Sequence, residues 1–595
     1  MPRISRRDFF RGSFAAALSA LFPGLLGPGG RVLADPDRPP WPREWSPVHA
    51  DSPAVFEIAH RLRDGEFSDA APASVDAGDP VYDLVVVGGG ISGLAAALRF
   101  RDDIAPAGRV LILENNTEPG GNARNEAFEI GGRTVLATQA AAYVEKPWND
   151  ELRTFYRRLG IDLAQLAVPL DTDRAFFDRA SHGCDPVWVP DVWGEGMAGV
   201  PLTQEHRLAL ATFRGALSSA EDLLEGDGAG PLDQITFRAW IARQNQRTEE
   251  ILRFADLYCG DSLGANAASV SAASGISFLS EHITPGDIFA FPGGNGGFAR
   301  MAVRALLPDA LPGEPGSPEF LAAPFRRDAL DRSDAPVRLR LGATVVRIEH
   351  EGAPDAAEHL RFTYLHAGTL HHVRARTGVL AGAKNMARHV VRDLPDAQRE
   401  AFAKFRYGAY LVANVGLRRS AAIDRAGLGY QGCYFAGLGK TLEVADWVLE
   451  GGKPKRDPER PNVISLFCPL MYPDAPPEEQ GKRGRTELLA TPFLDFERRV
   501  LADLARILGP FGLEVEQDVV ALSLNRWGHA MVTGYPGFRW TPRAGGGFDP
   551  GPCRVAARLH GRLAFAHTDL EGTPYFEAAV TEGRRAAAEA GRRLR

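Results

Sequence analysis

The sequence has few cysteines, and their spacing matches no known cysteine motif. Its five cysteines, in 595 residues, form no CxxC pair, no CxxCH haem-attachment motif and no zinc-binding spacing. The sequence therefore gives no sign of a disulfide framework, of covalently attached haem or of a metal site. We expect the five thiols to be unpaired, since free cysteines are mostly buried structural residues.

The sequence also lacks an excess of basic residues and long hydrophobic runs. Its 68 Lys and Arg residues stand against 75 Asp and Glu residues, a formal net charge of −7. This balance gives no reason to expect a nucleic-acid partner or a basic membrane-binding patch. Beyond the N-terminus no apolar run reaches about 18 residues, so no transmembrane helix is expected. The length and ordinary composition instead predict a globular protein of two or more domains.

The first 34 residues have the pattern of an export signal. The stretch SRRDFF at residues 5–10 places Arg6 and Arg7 before a short, weakly apolar segment rich in Ala and Gly, which ends at Ala34. The arginine pair resembles the twin-arginine signal, which directs already folded proteins to the export machinery. We therefore predict a periplasmic protein. A basic amphipathic start or an uncleaved anchor remains the alternative.

A glycine-rich turn follows at residues 84–93, LVVVGGGISG. The apolar run before it predicts a buried parallel strand, and the residues after it predict a helix. Gly88 permits the tight turn, Gly90 admits a pyrophosphate close to the backbone, and Gly93 lets helix and strand pack closely. Glu114 ends the next apolar run, where a carboxylate can bind a ribose. The pattern predicts a dinucleotide-binding site.

Two further segments favour FAD over NAD. Glu-Pro-Gly-Gly-Asn at residues 118–122 follows the second strand and ends in Gly121 and Asn122. The last forty residues predict a strand, then Asp569, then a helix of about 18 residues from Tyr575. The N-terminal amides of that helix can face a flavin pyrimidine ring. FAD is so long that a distant chain segment is needed to cover its flavin end. In NAD-dependent enzymes the last forty residues do not usually return to the first domain.

These motifs, together with PGGNGGFARMAVRALLP, the strand TVVRI and LNRWGHA, resemble the FAD-dependent amine dehydrogenases of the glutathione-reductase-like superfamily. Within the flavin amine oxidase group, bacterial spermidine dehydrogenase is the most similar known type. The resemblance covers most of residues 80–595. It implies an α/β fold, in which a Rossmann-like FAD-binding domain is built from several chain segments and an α+β substrate-binding domain is inserted.

The resemblance also implies cofactor-binding roles for ten residues. They are Gly88, Gly90, Gly93 and Glu114 for the adenosine diphosphate half, Gly121 and Asn122 for the pyrophosphate and flavin, Val345 for the adenine, Asp569 for the ribityl chain, and Tyr575 and Phe576 beside the flavin. The segment after Gly121 departs from the family pattern, because Asn-Ala-Arg-Asn stands where relatives carry a His and an extra basic residue.

Trp527 and His529, within Asn-Arg-Trp-Gly-His, are the predicted active-site wall, since an aromatic side chain can attract an alkylammonium ion. A core Trp beside a hydrogen-bonded His is the equally open structural interpretation. The charged runs at 477–479 and 482–485 are expected in an exposed loop. No metal site is predicted; the resemblance alone implies a non-covalent haem b as a possible electron relay.

The predicted domain order follows the resemblance. It runs as signal peptide 1–34, extended segment 35–80, FAD-binding segments 81–146, 281–390 and 556–595, and substrate-domain segments 147–280 (mainly helical) and 391–555. Alternation of apolar and polar residues predicts strands at 337–348 and 360–381.

The function that these features predict is FAD-dependent oxidation of an amine. Hydride leaves a C–H bond next to nitrogen, and the resulting imine is hydrolysed to an aldehyde. The partners would be a small amine substrate and an unidentified electron acceptor. Oxidation or desaturation of a non-amine substrate, a non-enzymatic exported flavin-binding electron carrier and a nicotinamide dehydrogenase remain as alternatives.

Overall fold

The structure, a computed structural model, describes residues 43–45, 53–67, 75–76, 78–163, 167–169, 174–194, 197, 199–224, 228–244, 248–283, 288–445, 448–450, 453–455 and 457–594. The predicted signal peptide lies outside these residues. Within them, no helix combines the length and the apolar character needed to cross a membrane. All five cysteines are unpaired, as predicted.

Strands from distant parts of the chain form two eight-stranded sheets and several small ones. In chain order the strands are β1 Arg43–Trp45, β2 Val75–Asp76, β3 Tyr82–Val87, β4 Val110–Leu113, β5 Asn125–Ile130, β6 Arg133–Thr138, β7 Tyr143–Glu145, β8 Val168–Pro169, β9 Ala175–Phe177, β10 Val187–Val189, β11 Ile288–Ala290, β12 Val337–Arg340, β13 Thr344–His350, β14 Leu360–His366, β15 Thr369–Leu380, β16 Tyr407–Leu417, β17 Gln431–Tyr434, β18 Thr441–Val444, β19 Val448–Glu450, β20 Lys453–Lys455, β21 Asn462–Pro469, β22 Val519–Val532, β23 Trp540–Pro542, β24 Phe548–Pro550 and β25 Leu563–Phe565.

The α-helices connect these strands and cover the sheets. In chain order they are α1 Pro53–Arg63, α2 Ile91–Arg99, α3 Asp150–Leu159, α4 Arg179–His182, α5 Gln204–Glu221, α6 Ala229–Leu232, α7 Phe237–Gln244, α8 Thr248–Leu263, α9 Ala272–Ile283, α10 Gly296–Leu306, α11 Pro318–Ala322, α12 Arg327–Leu330, α13 Lys384–Val390, α14 Asp396–Ala403, α15 Ala421–Arg425, α16 Pro477–Ala490, α17 Phe493–Leu508, α18 Val515–Asp518, α19 Pro552–Ala556 and α20 Phe576–Gly591.

The first sheet has the order β12-β4-β3-β15-β14-β13, and β2 and β25 also pair with β15. The pairs β12–β4, β4–β3, β3–β15 and β15–β25 are parallel. Leu84, Val85 and Val86 of β3 are fully buried, because side chains cover both faces of the strand. The continuous apolar run of β3 therefore follows the rule for parallel strands, and the predicted strand–turn–helix unit is confirmed.

The second sheet has the order β1-β22-β16-β21-β18-β17-β9-β10. One of its faces packs on α17 through a core that includes Leu411, Ala413 and Leu524. The alternate residues of β22 and β16 point to the opposite face, and that face carries Trp527 and Tyr410. Since β22 and β16 pair over almost their whole length, they form the rigid support of the predicted active-site wall.

Several predicted elements are present with small shifts. The expected helix near residues 56–62 is α1, the expected final helix is α20, and the strand predicted over 337–348 is divided between β12 and β13 by a turn. The prediction of a loop at 477–485 is wrong, because α16 occupies it. Pro477 stands at the first helical position with two acidic residues in the first turn, and Glu479 pairs with Arg483 one turn later, all of which favour a helix.

A buried ion network holds β12 beside β4, the strand that ends near Glu114. The side chains of Arg338 and Arg340 are each less than a tenth exposed, and both contact Asp79 and Asp331. The Nε atoms of the two arginines lie 2.6 and 2.7 Å from the Asp331 carboxylate oxygens. Removing one acid would leave buried positive charge only partly compensated, which is costly.

We expect Asp79→Ala to destabilise the protein by about 2–4 kcal/mol, because Asp331 alone must then neutralise two buried guanidinium groups. Asp309→Ala is the matched control, since it removes an acid whose ion pair with Arg332 is exposed and should change stability by less than about 1 kcal/mol. Denaturant unfolding measures both. Equal losses for the two variants would contradict this account of the network.

Candidate cofactor and active site

The predicted glycine turn joins β3 to α2. Gly88 has a φ of 107°, a conformation that residues with side chains rarely adopt. A Cβ atom at Gly93 would lie 1.9 Å from the carbonyl oxygen of Gly88, so strand and helix approach each other only because Gly93 has no side chain. Gly90 precedes the helix, and no side chain caps the first amides of α2. Those amides can therefore bind an anion such as a pyrophosphate.

A second glycine loop lies directly against the first. Gly120 and Gly121 have φ values of 124° and 62°, and the backbone N–H of Gly120 donates to the carbonyl oxygen of Gly89 at 2.8 Å. A Cβ atom on Gly90 would lie 3.6 Å from the Cα atom of Gly121. The two motifs thus form a single surface of backbone atoms, which we call the cradle.

Glu114 lies at the edge of the cradle, at the end of β4. It is 3% exposed. Its Oε2 accepts a hydrogen bond from the backbone N–H of Gly89 at 2.6 Å, and its Oε1 accepts from the backbone and side chain of Asn116 at 2.8 and 3.0 Å. A carboxylate offers about four acceptor positions. Glu114 therefore has about one acceptor position left, and its predicted contact with a ribose hydroxyl stays a prediction.

Val345 lies on β13 near the same edge. The backbone N–H of Ala343, two residues earlier, donates to the carbonyl oxygen of Glu114 at 2.8 Å. The side chain of Val345 is buried in the core behind the sheet. Any contact from Val345 to an adenine ring would therefore come from its backbone, as the family resemblance implies.

The C-terminal segment closes on the glycine turn. Strand β25 pairs with β15, and α20 packs along α2. A Cβ atom on Gly583 would lie 2.2 Å from the carbonyl oxygen of Ser92, so the two helices are in backbone contact at this point. A Cβ atom on Gly88 would lie 3.2 Å from the carbonyl carbon of Ala381, at the end of β15. The predicted meeting of the two ends of the chain is therefore present in the fold.

Asp569 lies in a short 3-10 helix at Thr568–Glu571, between β25 and α20. It is 2% exposed and accepts hydrogen bonds from the Tyr407 hydroxyl at 2.5 Å and the backbone N–H of Lys384 at 3.2 Å. Burial alone would raise the pKa of Asp569, but His567 and the Tyr407 hydroxyl lower it overall. Asp569 is thus a buried carboxylate in the C-terminal segment that closes on the cradle.

Tyr575 and Phe576 begin α20, as predicted, but their side chains point to different surroundings. Tyr575 stacks on Phe278 of α9 with ring centroids 4.3 Å apart and an interplanar angle of 6°. Phe576 packs against Phe298 at 4.8 Å and belongs to the main hydrophobic core. Phe576 could therefore reach a cofactor only through its backbone amide at the start of the helix.

Trp527 is 2% exposed and belongs to an aromatic cluster with Tyr410 and Phe467. Its indole N–H donates to the carbonyl oxygen of Gln139 at 2.8 Å. The segment that follows Gln139 is tied to the cradle, because the backbone N–H of Ala141 donates to the carbonyl oxygen of Asn122. Trp527 therefore has the structural role of a core residue, which was the alternative interpretation of the sequence. It also lies beside the cradle.

His529 lies two residues further along β22 and retains exposed surface. Protein atoms nevertheless surround its imidazole, so burial, together with Arg485 and His60, lowers the pKa of His529 to about 3. The imidazole meets the ring of Tyr407 edge-on at 5.5 Å, and Tyr407 bonds Asp569.

The side chain of Asn122 connects the cradle with this wall. Its Nδ2 donates to the carbonyl oxygen of Ala530 at 3.1 Å. The predicted cofactor residue Asn122 and the predicted active-site residue His529 are therefore neighbours, although about 400 residues separate them in the sequence.

Two residues of this site were missed from the sequence. Tyr407, at the start of β16, bonds Asp569 and contacts His529, and Lys384 is fully buried at the start of α13. Burial lowers the pKa of Lys384 to about 7, and its Nζ donates to the carbonyl oxygen of Leu380 at 2.7 Å. Neither residue belongs to a spaced motif, so no local pattern could have identified them.

One group of side chains in the described part of the chain has the composition of a metal site. His350, Asp393 and His560 bring their polar atoms within 4.8 Å of one another. However, Nδ1 of His350 bonds Asp393 at 2.7 Å, and its Nε2 accepts from the backbone N–H of Arg562 at 3.1 Å. The proton of His350 is therefore on Nδ1, and neither ring nitrogen has a lone pair free for a metal. These hydrogen bonds tie β13 to the segment before β25.

Comparison with known proteins shows a fold shared with solved oxidase structures. Residues 86–159 match the family of NAD(P)-binding Rossmann-like domains. Wild-type putrescine oxidase bound to putrescine is 17% identical, with a TM-score of 0.59 over 86% of this chain and 99% of that one. Cyclohexylamine oxidase from Brevibacterium oxydans IH-35A is 19% identical, with a TM-score of 0.58 over 87% and 100%. The predicted α/β fold class is confirmed.

A curated relative is also similar in sequence. Oxidoreductase PigB of Serratia sp. (strain ATCC 39006) is 22% identical over 564 residues, which are 84% of this chain and 74% of PigB. At such identities the similarity shows the shared fold. The resemblance to spermidine dehydrogenase in particular stays a prediction, and the comparisons do not support haem.

We expect Gly93→Ala to reduce FAD binding. The added methyl group meets the carbonyl oxygen of Gly88, and overpacking of this kind costs about 1–3 kcal/mol, which corresponds to about tenfold or more in affinity. Gly215→Ala is the control, because that glycine lies in α5 with nothing within 4 Å of its added Cβ and should be neutral or slightly stabilising. The ratio of flavin to protein absorbance measures the effect; an unchanged ratio in Gly93→Ala would contradict the assignment of the cradle.

Proposed function

We propose that this chain is an FAD-dependent oxidoreductase that oxidises a C–H bond next to an amine nitrogen. The observation that carries the proposal is the hydrogen bond from Asn122 to the carbonyl oxygen of Ala530. It joins the cradle to the part of β22 that carries Trp527 and His529, so that a cofactor held by the glycine loops would lie beside this predicted active-site wall. The fold shared with putrescine oxidase and cyclohexylamine oxidase supports the amine as substrate.

The arrangement favours FAD over a nicotinamide cofactor. Glu114 and the cradle come from the N-terminal part of the chain, and Asp569 with the start of α20 comes from the C-terminal segment that closes on it. Glu114 and the cradle would hold the adenosine diphosphate half of FAD, Asp569 would hold its ribityl chain, and the N-terminal amides of α20 would face its flavin. When bound, FAD supplies the acceptor for the hydride.

The protein's own side chains would prepare the amine for this transfer. The low pKa of His529 keeps its imidazole neutral at physiological pH, so it does not repel an incoming ammonium ion. A neutral imidazole can also accept a hydrogen bond from the substrate nitrogen. The apolar surroundings of the Trp527 cluster would disfavour the charged ammonium form of an amine bound beside it, and only the neutral amine releases hydride readily.

The substrate class that we propose is an aliphatic amine or polyamine, as in the spermidine dehydrogenases that the motifs resemble. We also propose that the protein is exported to the periplasm by the twin-arginine machinery and passes its electrons to an unidentified acceptor there. Loading FAD in the cytoplasm before export would explain how a nucleotide-binding loop follows an export signal. Haem b is not part of this proposal.

The absorbance spectrum of the purified protein and its anaerobic titration with amines test the function. We expect flavin bands that bleach on addition of an aliphatic amine, with an aldehyde as product. Bleaching by dithionite but by no organic substrate would favour the electron carrier instead. Bleaching by a non-amine alone would favour oxidation or desaturation of another substrate, and release of NAD on denaturation would overturn the flavin assignment.

Replacement of Arg6 and Arg7 by lysine tests the export proposal. The receptor reads the arginine pair, so the double variant should stay in the cytoplasm with its flavin bound while the unchanged protein reaches the periplasm. Cell fractionation followed by flavin fluorescence measures both. Equal periplasmic amounts of the two proteins would show that another route is used.

A further inference from the structure

Three helices next to the predicted active-site wall form a surface that is rich in basic side chains. α1 packs against α13, and α13 packs against α14. Leu62, Ala387 and Phe402, one from each helix, lie in the same hydrophobic core. Six basic side chains that keep exposed surface make up what we call the basic face: His60 and Arg63 of α1, Arg388 and His389 of α13, Arg399 of α14 and Arg485 of α16.

The arginines of these three helices have few acidic partners. Arg63 pairs with its neighbour Asp64 at 2.8 Å, and its side chain is still 45% exposed. Arg388 and Arg399 form no ion pair with an acid among the described residues. Nε of Arg388 donates to Nε2 of His389 at 3.1 Å, and the Arg399 guanidinium donates to the carbonyl oxygen of Arg388 at 3.1 Å. These hydrogen bonds hold the two arginines in place without neutralising their charge.

Three histidines respond to this positive charge. Burial is the first cause that lowers the pKa values of His60, His389 and His529, and nearby arginines lower all three further. Arg63 acts on each of them, while Asp64 opposes it at His60 and His389 without reversing the direction. Because the whole chain carries a formal net charge of −7, the basic face has the opposite sign to the protein as a whole.

Arg485 links the basic face to the predicted active-site wall. Its Nη1 donates to the carbonyl oxygen of Tyr407 at 3.1 Å and lies 3.5 Å from that of Gly528, the residue before His529. The charges of Arg485 and Arg63 both act on the His529 imidazole. The basic face therefore extends from the exposed Arg63 to the wall beside the cradle.

A surface of this sign attracts anions toward the cradle. A cationic amine that approached across it would be repelled, so the basic face does not fit the amine entrance. The partner that removes the electrons is the other molecule that must come close to the cofactor. Electron-transfer proteins meet through small, weak interfaces whose complementary charges steer the approach. Basic side chains spread over several helices match the face of a protein better than a single small anion.

We propose that the basic face docks a protein electron acceptor whose surface around its redox centre is acidic, an inference that rests on the flavin and the acceptor of the proposed function. Oxidation of one amine to an imine releases two electrons and two protons. Two molecules of a one-electron acceptor take the electrons in turn, and the protons leave to solvent. The class of acceptor is thus defined by its charge, which is negative where the basic face is positive.

Two forms of one acceptor test the docking: a basic cytochrome c, and the same protein with its lysines succinylated, which makes its surface acidic. The flavin-loaded enzyme is reduced stoichiometrically with dithionite and mixed with each cytochrome in the absence of oxygen, so that no amine is needed. At low salt we expect the acidic form to be reduced about tenfold faster than the basic form, because charge steering changes association rates by about 10–1000-fold. This advantage should vanish at about 1 M salt, where the screening length falls to about 3 Å.

Charge reversal on the basic face should also remove the advantage. We expect the double variant Arg63→Glu, Arg388→Glu to lower the low-salt rate for the acidic cytochrome by at least about fivefold and to leave the basic cytochrome no slower. Arg179→Glu is the matched control. Like Arg63, Arg179 is exposed and pairs with a nearby aspartate, but it lies between β9 and β10, at the opposite edge of the second sheet from β22. The control should change either rate by less than about twofold.

The outcomes separate this inference from the proposed function. A purified protein without flavin overturns both. If no amine reduces the flavin, the proposed oxidation fails, while the dithionite-reduced enzyme still tests the docking. If the two cytochromes are reduced at equal rates, or if the double variant behaves like the control, the inference alone is overturned.

Ferricyanide, a small anion, distinguishes a small acceptor from a protein. A rate that falls in the double variant for ferricyanide but not for the acidic cytochrome overturns protein docking in favour of a small anionic acceptor. Where the double variant does not retain flavin, the salt dependence of the unchanged enzyme decides. A rate for the acidic cytochrome that salt leaves unaltered excludes the docking, and a rate that falls with salt for this cytochrome but not for the basic one supports it.

Discussion

The contact between α20 and α2 is the constraint on which the rest of this structure depends. The backbones of the two helices touch at Gly583 and Ser92, and this contact brings the C-terminal segment against the first glycine turn. Asp569 and the start of α20 reach the cradle only because of it. A side chain at Gly583 would separate α20 from α2, and a side chain at Gly93 would separate α2 from the turn at Gly88. Both contacts therefore depend on the absence of a side chain.

The sequence predicted the parts of the fold that depend on local signals. An apolar run, three spaced glycines and a helix identified β3 and α2, and the motif near residue 569 identified the segment that closes on them. The same reasoning failed at α16, where a run of charged residues suggested a loop although Pro477 at the first helical position and the ion pair between Glu479 and Arg483 favour a helix. Composition alone does not distinguish an exposed helix from an exposed loop.

The contacts that complete the site could not be predicted, because they join residues that are far apart in the chain. Tyr407 meets Asp569 across 162 positions, and Glu126 meets Asn414 across 288. Asn414, Ser465 and Glu443 become neighbours only after β16, β21 and β18 are in register. In the sequence these are single polar residues in apolar strands, and neither their spacing nor their type distinguishes them from ordinary strand residues.

The position of α20 also determines when the nucleotide site can form during synthesis. About 490 residues separate Gly93 from Gly583, so at 5–20 residues per second the ribosome adds the second about 25–100 s after the first. Throughout that interval the apolar face of α2 lacks the helix that covers it. The growing chain therefore needs protection of that surface, by a chaperone or by transient contacts, and it can hold its cofactor firmly only after translation is nearly complete.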